Sequence, residues 1–237
     1  MDLRNKVALV TGAGRGIGKA TALALAKAGA NLIITSRTAA DLQIVSREAG
    51  NVGRKTMLLA GDITRESFIR DLVHNGVTKM GRLDVVINNA GVGRFGAVAE
   101  MSTQEWDEMF NVNLRAAFLV IRETLPQLRK QSESFIVNVA SLAAKNFFAK
   151  GSGYAATKWG LMALSKCLML EEREHGVRVL AICPGSVDTH FFDHPSLPKP
   201  DKNKILKADD VAFAIVSAIH LPQRAMISEL EIRPSNP

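Results

Sequence analysis

Cysteine is nearly absent from this chain: Cys167 and Cys183 are the only two in 237 residues. Each lies in an apolar segment, "LSKCLML" and "VLAICPG", with no C-x-x-C spacing. Buried, reduced thiols are expected, and neither a disulfide framework nor a cysteine-rich metal site. Of the five histidines only His190 and His194 stand four apart, in "HFFDH", and none forms an H-E-x-x-H group, so no structural zinc and no bound metal are expected. No apolar run reaches the roughly 18 residues of a membrane span. The start, "MDLRNKVALVTG", enters an apolar strand pattern directly. It lacks the basic stretch and the roughly 7 to 15 apolar residues of a secretory leader, and the expected location is the cytoplasm. Aromatic residues make up 5% of the chain and are not interleaved with basic ones, so a formal charge of +7 does not predict a nucleic-acid partner. No membrane partner is expected either.

What the chain does have is enough apolar content, 47%, to bury a large core. Short β-rich runs alternate with helical patterns from end to end: "KVALVT", "NLIIT", "TMLLA", "DVVIN", "FIVNV", "RVLAIC" and "MISELEI". Several are continuously apolar, which is the pattern of parallel strands covered on both faces. The fold class expected is α/β: a doubly wound, seven-stranded parallel sheet with helices on both faces. Residues 1–237 read as one domain, since no repeat or composition break divides them. Thr38 with Asp41 and Ser102 with Glu105 fit helix-capping patterns at strand or loop exits. The stretch 190–206, "HFFDHPSLPKPDKNKIL", has three prolines and no period, and is expected to be a binding lid.

Two motifs suggest chemistry. After the first strand comes "TGAGRGIG", with Gly12, Gly14, Arg15, Gly16, Ile17 and Gly18 leading into a helical pattern. Glycines permit a tight turn and close backbone approach, and a helix N-terminus turns N–H groups and the positive dipole end toward an anion, as a dinucleotide pyrophosphate requires. An acid at the end of the second strand would select NAD through its ribose hydroxyl. Here the position reads Ser36-Arg37, and with Arg15 the arginine pair suits the extra phosphate of NADP. The second motif is "YAATK". The single tyrosine, Tyr154, precedes Lys158 by one helical turn. Held roughly 5 Å away, the ammonium would favour the phenolate by about 3 kcal/mol. The tyrosine is therefore expected to titrate well below its usual value of about 10, nearer neutrality, where a general acid or base works best.

Taken together these motifs, with "GDI" at Asp62, "NNAG" at 88–91, Asn113 in "NVNL", Ser141 in "NVASLAA" and "PGSVDT" at 184–189, resemble the short-chain dehydrogenase/reductase family. The likeness covers nearly the whole chain and implies a Rossmann-type fold. It implies that Asp62 and Ile63 contact adenine, that Asn89, Ala90 and Gly91 line the cofactor floor, and that Pro184, Gly185, Val187 and Thr189 hold the nicotinamide. It further implies catalysis by Asn113, Ser141, Tyr154 and Lys158. Tyr154 would exchange a proton with a substrate oxygen and Ser141 would donate a hydrogen bond to it. Lys158 would tune the tyrosine and bind the ribose, and Asn113 would hold a water in a proton relay. A small-molecule carbonyl or alcohol as substrate, and a homodimer or homotetramer, are also implied.

Three segments should face the substrate: "VGRFGAVAEM", "LAAKNFFAKGSG" and the 190–206 stretch. They carry Phe95, Phe147, Phe148, Phe191 and Phe192, which suggests an apolar pocket. Arg94, Lys145 and Lys150 in the same segments could meet a substrate carboxylate or phosphate. The tail "ISELEIRPSNP" departs from the 3-ketoacyl-acyl carrier protein reductases and is more similar to the branch that oxidises serine and 3-hydroxy acids. A small 3-oxo or 3-hydroxy acid or an apolar carbonyl compound is the expected substrate. A 3-ketoacyl thioester reductase and a non-catalytic NADPH-sensing protein are the alternatives.

Overall fold

In the computed structural model, residues 1–193 and 200–235 are described. Six strands alternate with helices: β1 Val7–Thr11, α1 Gly16–Lys27, β2 Asn31–Ser36, α2 Ala39–Asn51, β3 Thr56–Ala60, α3 Glu66–Met80, β4 Val85–Asn88, α4 Thr103–Phe110, α5 Ala116–Leu128, β5 Ser134–Val139, α6 Ser152–Glu172 and β6 Val177–Pro184. Two short strands, β7 Val187–Asp188 and β8 Leu206–Lys207, precede α7 Ala208–Ile219 and β9 Glu229–Ile232. The main sheet has seven strands in the order β3-β2-β1-β4-β5-β6-β9, every pair parallel. The doubly wound sheet expected from the apolar runs is present. The chain reverses its direction of travel between β1 and β4, the position at which such sheets leave a crevice beyond their carboxyl ends.

The strands are apolar throughout because both of their faces are covered. Successive side chains point to opposite faces, so Ala8, Val10, Leu32 and Ile34 join a core with Leu25 of α1, Leu42 of α2 and Ile215 of α7. Val7, Leu9 and Ile33 join the opposite core with Leu72 of α3, Leu119 of α5 and Leu168 of α6. On α6 the same helical period places Leu161, Ser165 and Leu168 inside and Cys167 outside. Cys183 is buried as expected but Cys167 is exposed, because its apolar sequence neighbours lie on another face of the helix. Among the described residues no helix is long and apolar enough to cross a membrane.

Of the two expected caps, Ser102 forms the full reciprocal box with Glu105 at the start of α4. Thr38 occupies the cap position of α2 without a side-chain hydrogen bond. Its carbonyl accepts from Ser36 Oγ at 3.2 Å, and Asp41 faces the glycine turn instead. An added Cβ on Gly14 would lie 2.9 Å from both Asp41 Cβ and Ser36 Oγ.

At the amino ends of the strands a fully buried carboxylate joins β1 to β4. Asp84 Oδ2 accepts from Val7 N at 2.9 Å and from Arg82 Nε at 2.8 Å. Its Oδ1 accepts from Arg82 Nη2 at 2.6 Å and lies 3.3 Å from Lys6 Nζ. Removing one member of such a set leaves the others desolvated and unpaired. Asp84→Ala should therefore lower the unfolding free energy by about 2–4 kcal/mol in urea titrations. A loss under about 0.5 kcal/mol, the range of an ordinary surface change, would show that the buried carboxylate does not hold this edge.

Candidate active site

The carboxyl ends of β1, β2, β4, β5 and β6 open onto a cavity of about 1190 Å³, above the usual 300–1,000 Å³ of a small-ligand site. The volume accommodates a dinucleotide together with a small second molecule.

One half is built from backbone. Gly12 and Gly16 have φ of +64° and +55°, a region that favours glycine. At Gly18 a Cβ would stand 2.2 Å from Gly12 O and 2.4 Å from Asn89 Nδ2, so α1 enters the turn at a distance only glycine allows. The exit of β4 clamps this turn. Asn89 Nδ2 donates to Thr11 O at 3.0 Å and Gly12 O at 3.2 Å, while Thr11 Oγ1 accepts from the amides of Asn89 and Ala90 at 3.0 and 3.1 Å. The first turn of α1 has no acidic residue, leaving its positive end open to an anion. Arg15 and Arg37 are exposed at the rim and among the described residues neither has an ion-pair partner. Asp62 closes the same end. Hydrogen bonds from Thr64 N and Oγ1, at 2.9 and 2.8 Å, hold its carboxyl below the usual carboxylate range, and the charge of Arg37 adds to the effect. The residues thus fit a phosphorylated dinucleotide: a cradle that a Cβ would fill, and free guanidinium groups at one end. Ile17, Ser36, Ile63, Gly91, Pro184, Gly185, Val187 and Thr189 line the same cavity.

The other half is built from side chains. α6 lies close to α4 and to the turn that follows it. A Cβ on Gly153 would sit 2.4 Å from Met109 Cε, and one on Gly160 would sit 2.8 Å from Leu114 Cδ2. Between α4 and α5 the helix widens into one π-helical turn, Asn111–Arg115, which carries Asn113. Asn113 Nδ2 donates to Val92 O at 2.9 Å and to Thr157 Oγ1 at 3.0 Å, and its Oδ1 accepts from Val92 N at 2.8 Å. Thr157 Oγ1 passes the chain on to Tyr154 O at 2.8 Å. Thr157 was missed in the sequence, although it stands inside "YAATK" in a helix whose neighbouring turns hold Tyr154 and Lys158. Asn113 Oδ1 and Lys158 Nζ lie 3.4 and 3.7 Å from the point where a side chain on Gly91 would begin. The missing side chain leaves a gap between them.

Tyr154, Ser141 and Lys158 converge where the two halves meet. Ser141 Oγ accepts from Ala143 N at 3.1 Å, and the serine hydroxyl is hydrogen-bonded with that of Tyr154. Lys158 Nζ donates to Val139 O at 2.8 Å and stands 5.7 Å from the centre of the tyrosine ring. The expected fall in the tyrosine's pKa is not found. Burial pushes Tyr154 up to about 12, against a smaller lowering by its hydrogen bond with Ser141. The ammonium lies under the ring and is bound to a carbonyl, and burial also pushes Lys158 down to about 8. Desolvation disfavours both charges and is the largest influence on each.

The side chains expected around a substrate divide. Phe95, Phe148, Phe191, Phe192, Arg94 and Lys150 line the cavity. Phe147 does not; it is 81% exposed and stacks on Trp159 with centroids 5.8 Å apart. Lys145 pairs with Glu229 and Glu231 of β9, and Arg94 pairs with Glu108 at 2.8 Å. Of the 190–206 stretch, His190, Phe191 and Phe192 line the cavity, and β7 pairs with β8 across its base. Residues 194–199 of the expected lid lie outside the described residues.

Comparison with known proteins agrees with this geometry. Residues 6–197 match the family model for short chain dehydrogenases. The chain belongs to the short-chain dehydrogenase family. A sepiapterin reductase of Chlorobaculum tepidum is 32% identical over 240 residues, covering 97% of this chain and 96% of that protein. Among solved structures, an alcohol dehydrogenase from the archaeon Thermococcus sibiricus, complexed with 5-hydroxy-NADP, has a TM-score of 0.90 at 31% identity and covers 97% of each chain. A metagenomic short-chain oxidoreductase in complex with NADP has a TM-score of 0.87 at 35% identity and covers all of both chains.

The titration of Lys158 makes a prediction about stability. Its folded value of about 8 lies below the ordinary 10.5. Below about pH 8 both states hold the proton, and the folded state bears the cost of burying the charge. Between about 8 and 10.5 the unfolded chain binds more protons, so stability rises with pH. From pH 8 to 10, before Tyr154 contributes, wild type should gain on the order of 2 kcal/mol relative to Lys158→Met in denaturant titrations. A pH-independent difference would show that the ammonium is not held away from water.

Proposed function

We propose that the protein is an NADP(H)-dependent oxidoreductase that interconverts a carbonyl compound and a secondary alcohol. The observation that carries the reading is the meeting of the Tyr154 and Ser141 hydroxyls where the glycine-cradled half of the cavity joins its phenylalanine-lined half. Family membership and the NADP complexes of similar structures support it.

The bound nicotinamide supplies hydride to the carbonyl carbon. The chain's own residues do the rest. Tyr154, kept protonated by burial, hydrogen-bonds the carbonyl oxygen and gives it a proton as negative charge develops. Ser141 donates to the same oxygen, a contact that strengthens toward the transition state. Lys158 lies below the phenol with its charge directed to Val139 O, where it would also hold the cofactor ribose. The gap over Gly91 fits a water between Asn113 and Lys158, and such a water would return a proton to the tyrosine's side of the site. Asn113 also has a positioning role through Val92 and Thr157. Gly12, Gly14, Gly16, Ile17 and Gly18 would hold the pyrophosphate. Arg15, Ser36 and Arg37 would hold the ribose phosphate, with Asp62 and Ile63 at the adenine. Asn89, Ala90, Gly91, Pro184, Gly185, Val187 and Thr189 would hold the nicotinamide side.

A homo-oligomer belongs to this reading. Phe118 of α5 and Trp159 and Leu170 of α6 are exposed, and a second copy would cover them.

Two substitutions test the assignment. Tyr154→Phe should bind NADPH within about twofold of wild type while turnover falls at least a hundredfold, at the low end of what a positioned acid contributes. Substantial residual turnover would remove the tyrosine as proton donor. Arg37→Asp should invert the ratio of kcat/KM values for NADPH and NADH by tenfold or more, since it replaces a phosphate-binding fork by a repelling carboxylate. An unchanged preference would remove the arginine clamp.

A further inference from the structure

The substrate side of the cavity is walled by rings. Phe95 and Phe191 flank the Tyr154 ring with centroids 5.4 and 5.5 Å away. They meet each other edge-on at 5.9 Å. Phe95 also contacts Phe148 at 5.9 Å, and Phe191 contacts Phe192 edge-on at 5.7 Å. Five rings from four chain segments therefore form one continuous aromatic surface around the proton-donating hydroxyl. Its floor is Gly93, where a Cβ would stand 2.5 Å from Phe191 Cζ and 2.6 Å from Phe95 Cε2. Any larger residue there would push both rings away from the tyrosine. Phe148 rests in the same way on Gly151, where a Cβ would lie 2.3 Å from its ring.

Among the described residues, the arginine and lysines near this surface are directed elsewhere. Arg94 donates to Gly93 O at 3.0 Å and pairs with Glu108. Lys145 is held by Glu229 and Glu231. Lys150 is exposed at the mouth, where water already solvates it. Among the described residues, a carboxylate beside the reacting carbonyl would meet mainly ring faces, which are negative, and would exchange its hydration for few donors. A flat π system would meet ring edges and faces in the offset and edge-on arrangements that aromatic pairs prefer.

We propose that the substrate bears an aryl or similarly flat conjugated group on, or one atom from, the reacting carbonyl, and that Phe95, Phe148 and Phe191 select it. The inference rests on the carbonyl-reductase reading above and narrows it to uncharged aryl ketones, diketones and aldehydes. The reaction is the same: the carbonyl carbon gains a hydride, the oxygen gains a proton from Tyr154, and NADPH leaves as NADP.

The test compares 1-phenylpropane-1,2-dione with 1-cyclohexylpropane-1,2-dione, which has nearly the same size and carbonyl chemistry but no ring π system. Acetoacetate and an acetoacetyl thioester complete the panel. With purified protein and NADPH, kcat/KM should be about tenfold higher for the phenyl compound than for the cyclohexyl one, as one or two favourable ring pairs would give, and higher again than for the acid or thioester. Phe95→Leu and Phe191→Leu should each reduce the phenyl-to-cyclohexyl ratio at least threefold. The ratio within one variant cancels losses common to both substrates. Phe148→Leu, at a position 47% exposed, gives a milder variant should the others fold poorly. Calorimetric binding of the two diones to the NADPH complex of Tyr154→Phe should show the same preference without turnover.

Equal turnover of both diones, a ratio unchanged by every variant, or preference for acetoacetate or the thioester would overturn the aryl assignment and leave the reductase standing. No Tyr154-dependent turnover of any compound would overturn the reductase reading, and the aryl assignment with it.

Discussion

The clamp between the exits of β1 and β4 is the contact on which the rest of the site depends. Asn89 reaches across to the carbonyls of Thr11 and Gly12, and the Thr11 hydroxyl accepts two amides in return. These four bonds fix a turn in which every second residue, from Gly12 to Gly18, lacks a side chain with which to hold a shape. They also fix the start of the segment running through Gly91, Val92 and Gly93 to Phe95. Asn113 bonds that segment at Val92 and, through Thr157, joins it to α6. The glycine turn, Tyr154 and the aromatic wall are thus referred to one crossing point of the sheet, the place where the strand order reverses.

A second buried polar chain runs parallel to the first. Asn88 Nδ2 donates to Asn138 Oδ1 at 2.8 Å, Asn138 Nδ2 to Ser165 Oγ at 2.8 Å, and Ser165 Oγ to Leu161 O at 2.6 Å. It crosses from β4 through β5 into α6, two turns beyond Lys158. Apolar packing alone would leave a helix free to slide by fractions of an ångström, whereas hydrogen bonds with fixed lengths and directions do not. With Asn113 and Thr157 near its start and Ser165 in its middle, α6 is held at two points. Tyr154 lies close to one of them.

How much of this was legible in the sequence follows from where each signal comes. The strands, their order of appearance and the glycine turn are local properties: two-faced burial makes a strand apolar at every position, and a turn with positive φ demands glycine. Tyr154 and Lys158 were legible as a pair because helical spacing alone brings them to one face. The sign of the tyrosine's shift was not, because it depends on how completely other segments exclude water and on Lys158 turning to Val139 O. Lys145 and Arg94 looked free for a substrate until β9 and α4 supplied their acids. Phe147 and Phe148 are adjacent in sequence, yet one joins Trp159 on the outside and the other joins Phe95 in the cavity. Cys167 was misread, and Thr38 marks the start of α2 without its side chain capping it, for the same reason, since apolar neighbours and a capping pattern describe the chain near a residue and not what packs against it.

The two halves of the cavity also differ in what a mutation can change. The glycine half is defined by backbone atoms and by the absence of Cβ atoms, and substitutions at Gly12 and Gly18 collide with main chain, which cannot move aside without the sheet. At Gly18 the obstacle is Gly12 O. The aromatic half is defined by rings on loops, and at Gly93 the obstacle is the ends of two phenylalanine side chains. A collision of the second kind can be relieved by rotating a side chain or replacing a ring. Altered substrate preference is therefore accessible through Gly93, Phe95, Phe148 and Phe191 without disturbing the nucleotide cradle, because no hydrogen bond of the β1–β4 clamp passes through those side chains.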